Sequence, residues 1–152
     1  MKEILPDNVS ILATHPMFGP DSAADSICGK KIVLCKERIN DELYEKIKAY
    51  LILKGLIVIE TTPAEHDKQI AVSLSLSHFI GRSLSEFGAE GLEIDTEGYR
   101  RLLNILEVVE NDTWQLFIDM HKYNSYSKSV RSKFMAAAEK INLLLDAACD
   151  EC

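Results

Sequence analysis

The segment 14–20, which reads T-H-P-M-F-G-P, places His15 directly after a short apolar run. Open α/β sheets bind ligands at the ends of buried strands, and an imidazole held there can act as a general base near neutral pH. Pro16 disfavours helical geometry at His15, and Gly19 allows a second turn. Two interpretations stay open for His15: a catalytic base, or a histidine that ends a strand and hydrogen-bonds the backbone.

The other histidines lie in segments with helical spacing. His66 stands between two acids in a predicted first turn and is interpreted as a residue of the capping region. His78 follows twelve residues later among apolar side chains, so about 18 Å of helix separates the two and they cannot share one metal ion. A buried imidazole needs a partner, and Arg82 can line the same cleft as His78. His121 precedes a lysine and is predicted on the surface.

Two adjacent arginines, Arg100 and Arg101, lie on an otherwise apolar predicted helix. A guanidinium group can bind a carboxylate through two parallel hydrogen bonds. Neighbouring residues point away from different faces, so only one of the two can face a given cleft. Position alone favours the alternative, which is a solvated helix flank.

The four cysteines predict no disulfide framework in a chain of this size. Cys149 and Cys152 form a C-x-x-C pair, but two thiolates fall short of the four ligands of a structural zinc site. A redox pair also needs an ordered helix N-terminus to lower its thiol pKa, and this pair follows a helix. Residues 149–152 are therefore predicted to be a tail, and a metal-binding regulator would rest on this pair alone.

The first sixty residues alternate between strand and helix patterns. Apolar runs at 9–14, 32–35 and 56–59 predict three buried strands. Asn40 can cap a helix between the second and third strands, and Gly55 can end it. This order predicts a βαβ unit with parallel strands.

From residue 62 onward the pattern is helical. Thr62 and Pro63 are typical of a helix start, and Gly88 with Gly91 is typical of a helix end. Two further helices are predicted to begin at caps, at Asp112 and at Ser125.

The predicted fold class is mainly α with a small α/β part. Residues 1–61 are predicted to be a terminal βαβ remnant of a Rossmann-like sheet, and residues 62–148 an all-helical domain. Residues 2–5 look like the end of a helix, which suggests that Met1 lies inside a larger domain plan. No G-x-G-x-x-G occurs, so the phosphate-binding turn of a Rossmann half is missing.

Composition excludes several function classes. The chain has 152 residues, 47% apolar and 27% charged, which is typical of a folded domain. A net charge of -7 disfavours a nucleic-acid partner. No apolar run approaches eighteen residues, so no membrane span is expected. The start has no secretory signal pattern, and a cytoplasmic location is expected.

Three segments in this order resemble the prephenate/arogenate dehydrogenases: 14–20 (T-H-P-M-F-G-P), 62–67 (T-P-A-E-H-D) and 77–82 (S-H-F-I-G-R). The later stretch 94–104, with Asp112 and Leu116-Phe117, is similar to the plant-type arogenate dehydrogenases. The resemblance extends from about residue 9 to residue 140, which is nearly the whole chain.

The resemblance implies part of an enzyme of tyrosine biosynthesis. Such enzymes oxidise the ring alcohol of prephenate or arogenate by hydride transfer to NAD or NADP, and the ring carboxylate leaves as CO2. His15 matches the catalytic histidine, which accepts the hydrogen bond of the ring hydroxyl, and His78 matches a substrate-side histidine.

Further site residues are implied in the same way, and none of them is a metal ligand. They are substrate-binding Ser75, Arg82, Arg100 and Arg101, and cofactor-binding Pro16, Met17 and Gly19. Some relatives carry a histidine where this chain has Ser75. The family also implies that residues 1–61 are the C-terminal remnant of a nucleotide-binding domain. Residues 62–148 would then be a substrate-binding and dimerisation domain that forms a homodimer.

Two functions from different classes stay open. The chain is either the C-terminal portion of such an enzyme, expected to turn over negligibly alone, or a stand-alone helical dimerisation or ligand-binding module without catalysis. An in-frame upstream segment of roughly 100 residues with a strand, G-x-G-x-x-G and a helix would favour the enzyme. The sequence does not distinguish prephenate from arogenate as the substrate, or NAD from NADP as the cofactor. It also does not show whether tyrosine inhibits the enzyme by feedback, or which arginine binds the substrate carboxylate.

Overall fold

The computed structural model describes residues 4–110 and 112–150, which form two compact units that divide after His66. The strands are β1 (Ile11–Pro16), β2 (Lys31–Arg38) and β3 (Ile57–Glu60). The helices are α1 (Asp41–Leu53), α2 (Pro63–Ile70), α3 (Leu76–Phe87), α4 (Glu97–Glu110), α5 (Trp114–Tyr123) and α6 (Ser127–Asp150). A 3-10 turn (Asp21–Ala23) follows β1, and a π-helical segment (Ala71–Ser75) joins α2 to α3. The predicted class, mainly α with a small α/β part, is confirmed.

The sheet has the order β1-β2-β3. β2 and β3 are parallel, as the βαβ pattern predicts, whereas β1 runs antiparallel to β2. The register aligns His15 with Val33, and Val33 with Ile59. His15 therefore shares a rung with a residue near the carboxyl end of β3.

The prediction of a buried first strand over residues 9–14 is wrong in two respects. β1 spans Ile11–Pro16, so that His15 lies within the strand, and most of its residues are partly or fully exposed. The physical reason is that β1 has one neighbour, β2, in the described sheet. Because β1 is antiparallel to β2, its carboxyl end meets the amino end of β2, which is not the edge where parallel strands place ligands.

The core of the first unit lies between β2 and α1. Ile32, Leu34, Tyr44 and Leu56 form its buried cluster. The Tyr44 hydroxyl donates a 2.5 Å hydrogen bond to Glu60, and burial together with that carboxylate raises the pKa of Tyr44 to about 12. Each fully buried large apolar side chain contributes about 1.5–3 kcal/mol, so this cluster fixes α1 on the sheet.

The ends of α1 follow the predicted caps. The Asn40 side chain accepts a 2.7 Å hydrogen bond from the Leu43 amide. At the other end Gly55 has φ +83°, and a Cβ there would lie 3.0 Å from the Cys28 sulfur. Only glycine fits both the left-handed backbone and the close approach.

The predicted start of α2 at Thr62 and end of α3 at Gly88 are confirmed by a cap on the Glu65 amide and by a left-handed C-cap. The predicted cap at Asp112 is wrong: the Thr113 side chain accepts the 3.1 Å hydrogen bond from the Leu116 amide. Asp112 is engaged elsewhere, as described below.

The predicted start of α6 at Ser125 is also shifted. The Asn124 side chain accepts a 2.9 Å hydrogen bond from the Tyr126 amide, and the helix begins at Ser127. A polar residue at either position satisfies free amides, so the sequence alone does not choose between them.

Close packing joins α3 and α4. A Cβ on Gly81 would lie 2.9 Å from both methyl groups of Val109 and 3.0 Å from the Ile105 carbonyl oxygen. Gly81 therefore allows the two helices to approach at this point.

The last helix, α6, is long and carries many exposed apolar side chains. The most exposed of the large ones are Met135, Ile141, Leu143, Leu144 and Leu145. Even so, within residues 4–110 and 112–150 no helix has both the length and the apolarity to cross a membrane.

Two expectations concern the chain ends. Lys2 and Glu3 of the predicted helix end lie outside the described residues, and Ile4 and Leu5 form a turn and a bend. Cys149 lies in α6, and Cys152 of the C-x-x-C pair lies outside the described residues.

Candidate active site

His15 and His66 form a hydrogen-bonded pair within the first unit. His15 Nδ1 lies 2.8 Å from His66 Nε2, although 51 residues separate them in sequence. The ring centroids are 5.1 Å apart and the rings meet edge-on at 66°. One of the two nitrogens must donate and the other accept. The interpretation of His66 as only a capping-region residue therefore missed its contact with His15.

Two regular elements hold this pair. β1 fixes the backbone of His15 through its pairing with Val33. The first turn of α2 fixes His66, whose amide donates a 2.9 Å hydrogen bond to the Thr62 carbonyl oxygen. Since His15 shares its rung with Ile59, α2 begins soon after that rung. The spacing of the motifs alone does not reveal this register.

The environment of His15 favours the neutral imidazole. Burial lowers its pKa, and the neighbouring His66 lowers it further because two like charges repel. Nδ1 faces His66, so Nε2 is the nitrogen on which His15 can take a proton. This arrangement can act as a general base at neutral pH.

The loop after β1 holds the predicted cofactor residues. Pro16 ends the strand, and the Met17 amide donates a 2.9 Å hydrogen bond to the Lys31 carbonyl oxygen. The Gly19 amide donates to the Ser22 hydroxyl at 3.1 Å, and no atom lies within 4 Å of a Cβ position on Gly19. Met17 is partly exposed, so the loop offers an open surface against which a flat group could lie.

The helical unit contains a buried histidine, His78. It is 5% exposed, and its Nδ1 lies 3.3 Å from a carboxylate oxygen of Asp112. This contact lacks the geometry of a hydrogen bond and is an ion pair only when His78 is protonated. Burial lowers the pKa of His78 and Arg82 lowers it too, whereas Asp112 raises it.

Arg82 lies on the same face of α3, one turn after His78. Its guanidinium donates to the Asp112 carbonyl oxygen and lies 5.8 Å from the centre of the Trp114 ring. The structure thus brings His78, Arg82 and Asp112 together.

Arg100 and Arg101 lie on the surface of α4. Arg100 Nε contacts Asp95 at 3.0 Å, and Arg101 Nε contacts Glu97 at 3.1 Å. Their side chains are 59% and 75% exposed. Both arginines form exposed ion pairs, which agrees with the solvated flank that position alone favours.

Ser75 ends the π-helical segment and is 1% exposed. Its hydroxyl accepts a 2.9 Å hydrogen bond from the Ser127 hydroxyl, and Ser127 is equally buried. The two serines therefore tie α6 to the junction of α2 and α3.

The surface prediction for His121 is wrong. Its Nδ1 lies 3.0 Å from an Arg131 nitrogen, and its ring packs edge-on against Phe79 and Phe117. Burial lowers its pKa, and Arg131 and His78 lower it further. His121 follows Phe117 by four residues, which places both side chains on the same face of α5. This spacing is the signal that could have predicted the packing of His121.

No candidate metal site is found in the described parts of the chain. Across residues 4–110 and 112–150, no three His, Cys, Asp or Glu side chains form a group that could hold a metal ion.

A family model described as "TYRAAT1-like, C-terminal domain" matches residues 83–151. The chain is 37% identical over 125 residues to arogenate dehydrogenase 2, chloroplastic, of Arabidopsis thaliana, an alignment that covers 79% of this chain and 35% of the relative. Arogenate dehydrogenase 1, chloroplastic, of the same plant is 32% identical over 148 residues, covering 94% of this chain and 23% of the relative. The chain therefore spans about a third of the length of these relatives or less.

A solved structure shares the fold. The prephenate dehydrogenase of A. aeolicus, crystallised in complex with hydroxyphenyl propionate and NAD+, superposes with a TM-score of 0.67 at 17% identity. The match covers 92% of this chain and 53% of that one.

Proposed function

Because the chain belongs to the arogenate/prephenate dehydrogenase family, as its C-terminal portion, we propose that it forms part of an enzyme of tyrosine biosynthesis. That enzyme oxidises and decarboxylates prephenate or arogenate. The observation that carries the proposal is the His15 imidazole, which burial keeps neutral and whose Nδ1 contact with His66 leaves Nε2 for the substrate.

The proposed reaction requires a base at the ring hydroxyl. As the alcohol carbon loses hydride, its oxygen must lose a proton, and His15 Nε2 takes that proton. Loss of the ring carboxylate as CO2 leaves its bonding electrons in the ring, which becomes aromatic. The phenolate oxygen then recovers the proton from His15. His15 is therefore unchanged over one turnover.

The proposed cofactor is NAD or NADP, which supplies the hydride acceptor when bound. Pro16, Met17 and Gly19 would contact it, and the open surface at Gly19 fits a flat group there. The sequence has no G-x-G-x-x-G, so these residues do not supply a pyrophosphate site. Another part of the enzyme would bind the phosphates.

On the substrate side we propose His78 and Arg82, because both are anchored at Asp112 and offer hydrogen-bond donors. Arg100 and Arg101 are also proposed to bind the substrate carboxylate. To do so, either arginine would have to release its acidic partner. Ser75 is proposed to shape the site through its buried bond to Ser127.

A homodimer through the helical part is proposed, since α6 exposes a series of large apolar side chains. The proposed location is cytoplasmic. Both plant relatives are named chloroplastic.

The test is an assay of the protein expressed with the coding DNA upstream of Met1, on both substrates with both cofactors. We expect hydride transfer with one of the four combinations at least. If none is turned over while the 152-residue chain still self-associates, the alternative of a stand-alone helical module is favoured instead.

A further inference from the structure

We infer that His66 is a positioning residue for His15: its Nε2 accepts a hydrogen bond from His15 Nδ1 and so keeps the lone pair of His15 on Nε2. The inference deepens the proposed function, because it rests on His15 being the base. His66 itself does not touch the substrate in this account.

The geometry restricts both rings. The 2.8 Å distance between the two nitrogens is that of a direct hydrogen bond, and both side chains are partly buried. β1 holds one backbone and the first turn of α2 holds the other, where Thr62 caps the Glu65 amide at 3.2 Å. A rotation of either ring would therefore break the bond between two fixed elements.

The positions of the protons on the pair decide whether His15 can act. When Nδ1 of His15 carries its proton, His66 Nε2 accepts it and His15 Nε2 has a free lone pair. After His15 takes the substrate proton, its Nδ1–H still donates to His66, so the bond survives the reaction. When His66 Nε2 carries a proton instead, it donates to His15 Nδ1, and the neutral His15 must hold its own proton on Nε2. That second state has no base.

His121 provides an internal reference with the opposite tautomer. Its Nδ1 lies 3.0 Å from an Arg131 nitrogen. A guanidinium group can only donate, so His121 Nδ1 must accept and its proton lies on Nε2. The two histidines belong to different units, and a change at His66 should leave His121 as it is.

The test is long-range proton–nitrogen NMR of the 152-residue chain labelled with nitrogen-15 in histidine, recorded where both imidazoles are neutral. We expect His15 to be protonated on Nδ1 and His121 on Nε2. In His66→Phe, which keeps an aromatic ring but removes the acceptor, His15 should become a mixture of tautomers while His121 is unchanged.

The matched variant His66→Gln retains a side-chain acceptor and should restore the Nδ1-protonated form of His15. A wild-type His15 protonated on Nε2 would overturn the inference, as would an unaltered His15 tautomer in His66→Phe. If His66→Phe loses the His121 signal because it fails to fold, the wild-type and His66→Gln spectra still decide.

Kinetics separate the inference from the proposed function. In the active enzyme His66→Phe should lower kcat by about 100-fold, the scale of a small misplacement of a catalytic group, with little change in KM. If His15→Asn abolishes turnover but His66→Phe leaves kcat unchanged, the inference is wrong and the proposed function stands. If His15→Asn retains full activity, the proposed function fails, while the spectra report the His15–His66 bond independently.

Discussion

Each unit of the chain contains a partly or fully buried histidine, and the two histidines have different partners. In the sheet unit His15 faces His66, and in the helical unit His78 faces Asp112. Burial lowers the pKa of both His15 and His78, but His66 lowers it further whereas Asp112 opposes the decrease. A second imidazole can accept or donate, so the His15 pair shares one proton. An ionised carboxylate only accepts, so Asp112 offers no proton to His78, and their 3.3 Å contact lacks the geometry of a hydrogen bond. Under the proposed function, His15 is the base in the sheet unit and His78 a binding group in the helical unit.

The two units also differ in how deeply their leucines are buried. The largest expected change in stability tests this difference. Leu34 is 0% exposed in the sheet core, and Leu144 is 57% exposed on α6. Leu34→Ala should lower the free energy of unfolding by about 2–5 kcal/mol, because it leaves a cavity. Urea unfolding measures the change.

Leu144→Ala is the matched control. In an isolated chain its effect should stay within about 0.5 kcal/mol. A larger loss that depends on protein concentration would place α6 in the proposed dimer interface. A loss below about 1 kcal/mol for Leu34→Ala would contradict the packing described for the sheet unit.

The second expected effect concerns His78. If it donates to a substrate carboxylate, His78→Gln should raise KM by about 10–100-fold, corresponding to a charged hydrogen bond of 1.5–3 kcal/mol, with kcat less affected. Steady-state kinetics of the active enzyme measures both constants, and urea unfolding checks that the variant is folded. A drop in kcat at unchanged KM would remove the contrast with His15.

The third effect tests the contact between α3 and α4. Gly81→Ala should cost about 1–3 kcal/mol, because the new methyl group meets Val109 and the Ile105 carbonyl. Gly98→Ala is the control on α4: the nearest atom to its Cβ position is 3.8 Å away. It should not destabilise the chain, since alanine favours a helix over glycine. Equal losses in the two variants would contradict the close approach at Gly81.

The smallest effect is a pH dependence of stability. Burial is the main cause that lowers the pKa of His15, His78 and His121 below the ordinary 6.5. Between 6.5 and the lowered native values the unfolded chain binds more protons, so the free energy of unfolding falls as the pH falls. Each histidine contributes at most about 1.4 kcal/mol per pH unit. Urea titrations across this window measure the slope.

A variant isolates one contribution to that slope. His121→Phe removes one of the three imidazoles whose pKa burial lowers, and it should make the decrease shallower. A free energy of unfolding that rises as the pH falls through the window would contradict the buried, neutral histidines.

Much of the fold was predictable because its signals are local. The Asn40 and Thr62 caps, the Gly55 and Gly88 ends, and the parallel pair β2 and β3 all follow from neighbouring residues. The direction of β1 was not predictable, because the local sequence of a strand does not show which strand it pairs with or whether that pairing is parallel. The cap of α5 at Thr113 was missed because Asp112, an equally good cap, is held at His78.

The candidate site shows the same limit. His15, His78 and Arg82 could be selected from residue type and surroundings, but the contact between His15 and His66 depends on register across three strands. His66 also has an ordinary explanation in the first turn of a helix. Long-range pairing, which the sequence does not display, decides its role.

The most direct test of the account compares kcat of His15→Asn with that of the wild-type enzyme, on the substrate and cofactor that the wild type prefers. Asparagine keeps a polar side chain of similar reach but cannot act as a base at neutral pH. The account predicts a decrease in kcat of about 10²–10⁴-fold, the usual contribution of a general base. Full retained activity in His15→Asn would contradict it.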